Sequence, residues 1–260
     1  MLKRLLWILL LTLPLHSANA KTAEEKGLAI AIEADRRDTG WISQTANMKM
    51  ELRNKQGQTS IRKIRSRTLE VQGDGDKGLS IFDTPADVKG TAFLSYTHAT
   101  TADDQWLYLP ALKRVKRIAS ANKSGPFMGS EFAYEDITSQ EVARYTYKYL
   151  QDEKIEDRDT MVIERYPTYK NSGYTRQIVW IDKKMWQPIK VEFYDRKNAR
   201  LKTLTFHNYQ QYLGQYWRPE RMEMVNHQSG KATTLTWSNY KFKTGLTDRD
   251  FDKNSLKRIR

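Results

Sequence analysis

The chain has 260 residues, 39% hydrophobic and 29% charged, a length that suits one large domain or two small ones. Its 7 Trp, 14 Tyr and 8 Phe argue against disorder. The longest apolar run, Leu5–Leu15, falls short of the about 20 residues a spanning helix needs, which excludes a multi-span transporter. With no cysteine at all, a disulfide framework, thiol catalysis, cysteine-based zinc sites and covalent haem are excluded as well.

Lys3 and Arg4, the apolar stretch Leu5–Leu15 and the small-x-small close Ala18-Asn19-Ala20 make residues 1–20 a cleavable signal peptide, cut after Ala20. The net charge is +13, and +11 once Lys3 and Arg4 leave with the signal. The mature chain is then a periplasmic protein, and without a lipobox cysteine it is not itself a lipoprotein.

Thr22-Ala23-Glu24-Glu25 is a capping box that opens a helix running to about Arg37 and stopping before Gly40. Ala23, Gly27, Ile30, Ala31 and Ala34 fall on one stripe of it, with Leu28 and Ile32 off the stripe. After Trp41 the pattern becomes one of strands. Met48, Met50 and Leu52 alternate with charged residues, and Thr59–Val71 is a long basic strand after the turn at Lys55–Gln58. Further strands are expected at Leu79–Phe82, Ala92–His98, Gln105–Leu109 and Leu112–Ile118. Thr160–Tyr166, Tyr174–Ile181, Trp186–Tyr194, Arg200–Tyr209, Gln215–Val225 and Lys231–Phe242 complete the set. Short turns separate them, which is the signature of an antiparallel meander closing or half-closing into a barrel. The expected fold is mainly β, in a single domain over residues 21–260.

Ala119–Tyr149 breaks this pattern. Ser120–Pro126 is a breaker-rich loop, and Phe127–Phe132 carries large apolar groups on a segment that is neither strand nor helix. The mixed-charge run Asp152–Asp159 reads as a solvated loop.

No motif with a mechanism is present, so no catalytic residue, metal ligand or cofactor is assigned. His98, His207 and His227 are far apart and lack metal-binding spacing. Asp103-Asp104 reads as a turn, and Glu135-Asp136 is the other adjacent acidic pair. Arg65, Arg67, Lys113, Arg114, Lys116 and Arg117 cluster positive charge; in a secreted chain they suit an anionic surface or acidic partner, not nucleic acid. Lysine and arginine guarding edge strands against aggregation is the competing reading. Strand alternation nominates Met48, Met50, Leu52, Trp106, Tyr108, Phe127, Met128, Phe132, Trp180, Phe193, Met222 and Met224 as the lining of an apolar cavity, with a packed core as the alternative.

Three long stretches carry a resemblance. They are Phe82–Leu94, with its Asp-Thr-Pro-Ala-Asp-Val-Lys-Gly centre, Gln105–Ile118 and Phe127–Ile137. Together with Tyr194-Asp195, Met222-x-Met224-x-Asn226 and the closing Gly245-Leu246-Thr247-Asp248, they resemble the LolA-like outer membrane lipoprotein-sorting protein family. The resemblance implies a half-open antiparallel β-barrel with a helical lid over an apolar concavity that holds acyl chains. It also implies a lipid or acylated cargo and an RND/MMPL-type inner-membrane exporter as partner, with transient contact to the membrane surface. The expected function is a periplasmic carrier and not an enzyme. A lipid-regulated protein-binding or sensor module is the alternative, and an envelope hydrolase a more distant one.

Overall fold

The computed structural model describes residues 21–258, so the signal peptide and cleavage point expected from sequence lie outside the described residues. One helix, α1 (Ala23–Arg37), precedes thirteen strands. The first six are β1 (Ser43–Arg53), β2 (Thr59–Leu69), β3 (Lys77–Thr84), β4 (Ala92–Tyr96), β5 (Asp104–Leu109) and β6 (Arg114–Arg117). After a long crossover come β7 (Tyr145–Ile155), β8 (Arg158–Pro167), β9 (Tyr174–Asp182), β10 (Pro188–Asp195), β11 (Arg200–Tyr212), β12 (Tyr216–Asn226) and β13 (Ala232–Phe242).

All thirteen belong to one antiparallel sheet, in the order β6-β5-β4-β3-β2-β1-β13-β12-β11-β10-β9-β8-β7. Two meanders, β1–β6 and β7–β13, are thus joined where β1 pairs with β13, for example Met50 opposite Leu235. β6 and β7 are the free edges, so the barrel stays open.

The register carries the curvature into chemistry, because side chains alternate between faces. Leu52, Thr233, Met224, Leu204, Val191, Val179, Ile163 and Tyr149 lie opposite one another in sequence across eight strands. That row lies on the concave face, where the largest apolar cluster gathers. Two smaller clusters cover the convex face. On β3–β5, Leu79, Ile81, Leu94 and Tyr108 are capped by Phe251 and Leu256 of the C-terminal segment. On β8–β10, Val162, Trp180 and Ile189 pack with Met185.

α1 begins as its capping box dictates: Thr22 Oγ1 accepts from the Glu25 N–H at 3.1 Å and Glu25 Oε2 accepts from the Thr22 N–H at 2.9 Å. Gly27, Ile30 and Ala31 are buried, while Leu28 and Ile32 face solvent. Gly27 sits directly on β7, where a Cβ would come within 2.8 Å of the Lys148 carbonyl carbon.

Strand β7 departs from the sequence reading. Tyr145–Ile155 pairs with β8 along its length, so Asp152–Ile155 form strand and only the tip at Glu156–Asp157 is a turn. The breaker-rich stretch before it and the charged tail conceal an alternation of Tyr145, Tyr147 and Tyr149 toward the core.

Candidate functional site

A cavity of about 1100 Å³ lies in the hollow of the sheet, between the concave face, α1 and the crossover segment. Ligand pockets typically occupy about 300–1,000 Å³, so this one is slightly larger than that range. Its walls are Met48, Met50, Val179, Ile181, Val191, Phe193, Leu204, Phe206, Met222, Leu235 and Trp237. Each strand contributes every second residue, and methionine and aromatic side chains dominate where β1, β11, β12 and β13 meet.

Of the residues nominated from sequence, Met48, Met50, Phe127, Phe132, Phe193 and Met222 border this cavity. Leu52, Met128 and Met224 belong to the same concave cluster behind its surface, with Met224 fully buried. Trp106, Tyr108 and Trp180 lie on the other side of the sheet. Trp106 and Tyr108 pack in the convex cluster under the C-terminal segment, and Trp180 in the convex cluster of β8–β10. Their neighbours Leu107, Val179 and Ile181 take the concave positions. Both faces of β5 are apolar, so composition alone does not orient the strand; a one-residue shift moved the whole set.

The crossover between β6 and β7 occupies part of the hollow. Phe127 and Phe132 are each 1% exposed, so the apolar groups of this segment form a plug in the hollow. The Phe127 ring centroid lies 5.1 Å from that of Phe93, 5.5 Å from Tyr134 and 6.0 Å from Phe82. Three buried acids tie the plug down. Asp136 accepts from Lys202 Nζ at 2.6 Å and from the Tyr174 hydroxyl at 2.8 Å. Glu135 accepts from the hydroxyls of Tyr169 and Ser172, both at 2.9 Å, and from the Gly173 N–H at 2.8 Å. Burial still raises its pKa above the usual glutamate range. Asp103 is no turn residue: its side chain is 4% exposed, with Arg144 at 2.6 Å and Lys123 at 3.5 Å. Sequence reasoning noticed these acids as adjacent pairs but not their partners, which are up to 66 residues away.

The six basic residues do not ring the cavity. Arg65 points to the convex face, where its Nε donates to both Asp83 carboxylate oxygens at 3.0 Å. Arg67 and Arg117 stand at opposite ends of the row Arg67–Leu79–Leu94–Trp106–Arg117, with the capped apolar patch between them. Lys113 lies at the β5–β6 turn, and Arg114 and Lys116 alternate with Arg117 along edge strand β6.

The polar part of the lining is instead acidic. Asp35 and Asp38 come from the end of α1, Glu70, Asp74 and Asp76 from the β2–β3 connection, and Glu141 from the plug. Arg165 and Arg218 are the cations of the lining. Arg218 Nη1 lies 2.6 Å from Asp38 Oδ1. Burial raises the pKa of Asp35, Asp38 and Glu141, and that of Asp76 to about 7, with neighbouring carboxylates adding repulsion in each case. No local signal marks this cluster, because its members come from three separate parts of the chain. Among the described residues, no group of three or more His, Asp or Glu is arranged to hold a metal ion, and no helix is long and apolar enough to cross a membrane.

Comparison with known proteins agrees with this architecture. A family described only as uncharacterized protein matches residues 74–258. A domain from Vibrio parahaemolyticus, described as belonging to an outer membrane lipoprotein-sorting protein, is similar at 61% identity and TM-score 0.89, over 90% of this chain and 100% of that one. A DUF1329 family protein from Desulfovibrio piger is similar at 29% identity and TM-score 0.86, covering 91% of this chain and 100% of its own. A LolA superfamily protein from Nitrosomonas europaea shares the fold, with TM-score 0.71 at 24% identity over 90% and 99% of the two chains. Among curated proteins, none matches this chain.

Proposed function

The chain belongs to the LolA-like outer membrane lipoprotein-sorting protein family, and from that premise we propose that it is a periplasmic carrier holding an acyl chain of a lipid or lipoprotein in its cavity. The observation that carries this reading is the methionine- and aromatic-walled hollow of about 1100 Å³ in a sheet that leaves its edges open. Each buried CH₂ is worth about 0.8 kcal/mol, so a long acyl chain gains roughly 10 kcal/mol by leaving water for such a wall. A bilayer offers the chain a similar gain, so exchange between cavity and membrane is near balance and can run in either direction.

In this reading residues 21–260 act as one domain, because the sheet runs unbroken from β6 to β7. The work is binding and release, without a chemical step. Cargo passes from an inner-membrane exporter of the RND/MMPL type toward the outer membrane, the exporter resting on the resemblance of Phe82–Leu94, Gln105–Ile118 and Phe127–Ile137. The signal-like start of the chain supports the periplasmic location.

Titration of the lipid-free mature protein with a fluorescent long-chain fatty acid tests the carrier. Saturable uptake at one site, competed by unlabelled long-chain lipid, is expected. A signal that never saturates, or no uptake at all, contradicts it.

A further inference from the structure

The charges on the cavity lining are matched only in part within the protein. Asp38 pairs with Arg218 at 2.6 Å and Asp74 with His98 at 2.7 Å, while Glu70, without a basic partner among the described residues, accepts from two backbone N–H groups, those of Gly40 and Ile42, at 2.6 and 2.7 Å. Asp35, Asp76 and Glu141 have no basic partner within ion-pair distance among the described residues. Asp76 accepts from the Val71 N–H at 3.3 Å and Glu141 from the Ser139 hydroxyl at 2.7 Å, both neutral donors.

Arg165 shows the converse. Its Nε donates to Gln177 Oε1 at 2.7 Å and its guanidinium lies 4.7 Å from the Tyr145 ring centroid, yet no carboxylate pairs with it among the described residues. Arg165 is half-buried on this wall, and its planar fork of N–H donors, without a counter-anion, suits a phosphate or carboxylate. The two unmatched signs share one lining around Tyr147, which lies opposite Arg165 across β7 and β8 and whose hydroxyl donates to the carbonyl of Val142, the residue after Glu141, at 3.1 Å.

Building on the carrier reading, we infer that the cavity selects an amphiphile whose head carries a phosphate and an amine together, a zwitterionic lipid of the phosphoethanolamine kind. The phosphate pairs with Arg165 and the ammonium with Asp35, Asp76 and Glu141. An anionic glycerol-type head satisfies Arg165 but brings nothing to the three carboxylates. A purely cationic head leaves the guanidinium unmatched. The arrangement runs against the average charge of the chain, which is +13, so it is not a by-product of composition.

The test incubates lipid-free mature protein with vesicles of equal phosphatidylethanolamine and phosphatidylglycerol carrying the same acyl chains, then weighs the bound lipid by native mass spectrometry. Retention of phosphatidylethanolamine over phosphatidylglycerol by roughly tenfold, equivalent to about 1.4 kcal/mol, is expected. Asp35→Asn with Glu141→Gln brings the two lipids close to parity, and Arg165→Gln lowers retention of both. Equal retention by the unaltered protein, or selectivity unmoved by the double substitution, overturns the head-group inference while leaving the carrier standing. Retention of neither lipid removes the carrier reading and the inference with it.

Discussion

Lys202 and Asp136 form an ion pair sealed inside the sheet, Nζ to Oδ2 2.6 Å, with both side chains 4% exposed. Lys202 also donates to the Glu131 carbonyl oxygen at 2.8 Å, so one strand residue of β11 fixes the plug at two points. Removing one partner of such a pair leaves a buried charge without compensation, which costs about 3–5 kcal/mol. Lys202→Met is therefore expected to lower stability by that amount in urea unfolding. The Lys202→Met, Asp136→Asn double variant should recover a large part of the loss, because neither charge then remains.

The contact of α1 with β7 yields a second expectation. Alanine exceeds glycine in helix preference by about 1 kcal/mol, so Gly27→Ala would stabilise an exposed helix. Here the added methyl would stand 2.8 Å from the β7 backbone. Overpacking of this kind costs typically about 1–3 kcal/mol. The substitution should lower the melting temperature and increase amide exchange in α1 and β7 together.

Asp76 makes stability depend on pH. Its pKa is raised from 3.8 to about 7, by burial first and then by Glu141, Glu70 and Asp38 after the favourable Val71 N–H. Between those values the folded chain binds more protons than the unfolded one, so stability falls as pH rises through the window. Asp76→Asn keeps an acceptor for Val71 and removes the charge. A tenfold change in proton affinity is worth about 1.4 kcal/mol, and solvent screens part of it. The substitution should therefore gain about 1–3 kcal/mol near pH 8 and nothing near pH 4. Urea midpoints across that range measure the difference.

Opposite faces of the sheet give opposite phenotypes. Met222 borders the cavity, whereas Trp106 packs beneath the C-terminal segment. Met222→Asp is expected to weaken acyl-chain uptake by roughly tenfold or more, the penalty of an unpaired charge on an apolar wall. Trp106→Ala should leave uptake near normal and cost about 1–3 kcal/mol of stability, since the ring is only partly buried. Increased proteolysis of residues 248–258 would accompany it.

Local chemistry decided how much of this architecture was visible in advance. The helix was legible because Thr22 and Glu25 cap it and Gly27, Ile30 and Ala31 mark its buried stripe. Strands such as β1 were legible where Met48 and Met50 alternate with charged neighbours. β5 and β9 were recognisable as strands but not oriented, since Trp106 and Leu107, or Trp180 and Ile181, are equally apolar and each face has its own cover. β7 was hidden because an edge strand with α1 over one side tolerates exposed lysines and acids. The plug and the acidic lining have no local pattern. Asp136 finds Lys202, and Asp35 and Glu141 come to line one cavity, only after the sheet has curled.

The carrier account is tested most directly by native mass spectrometry of the mature protein, purified from periplasm without detergent. A lipid or acylated species bound at near one-to-one, lost in Met222→Asp, is the predicted result. A protein that emerges empty and takes up no lipid when it is supplied would contradict the account.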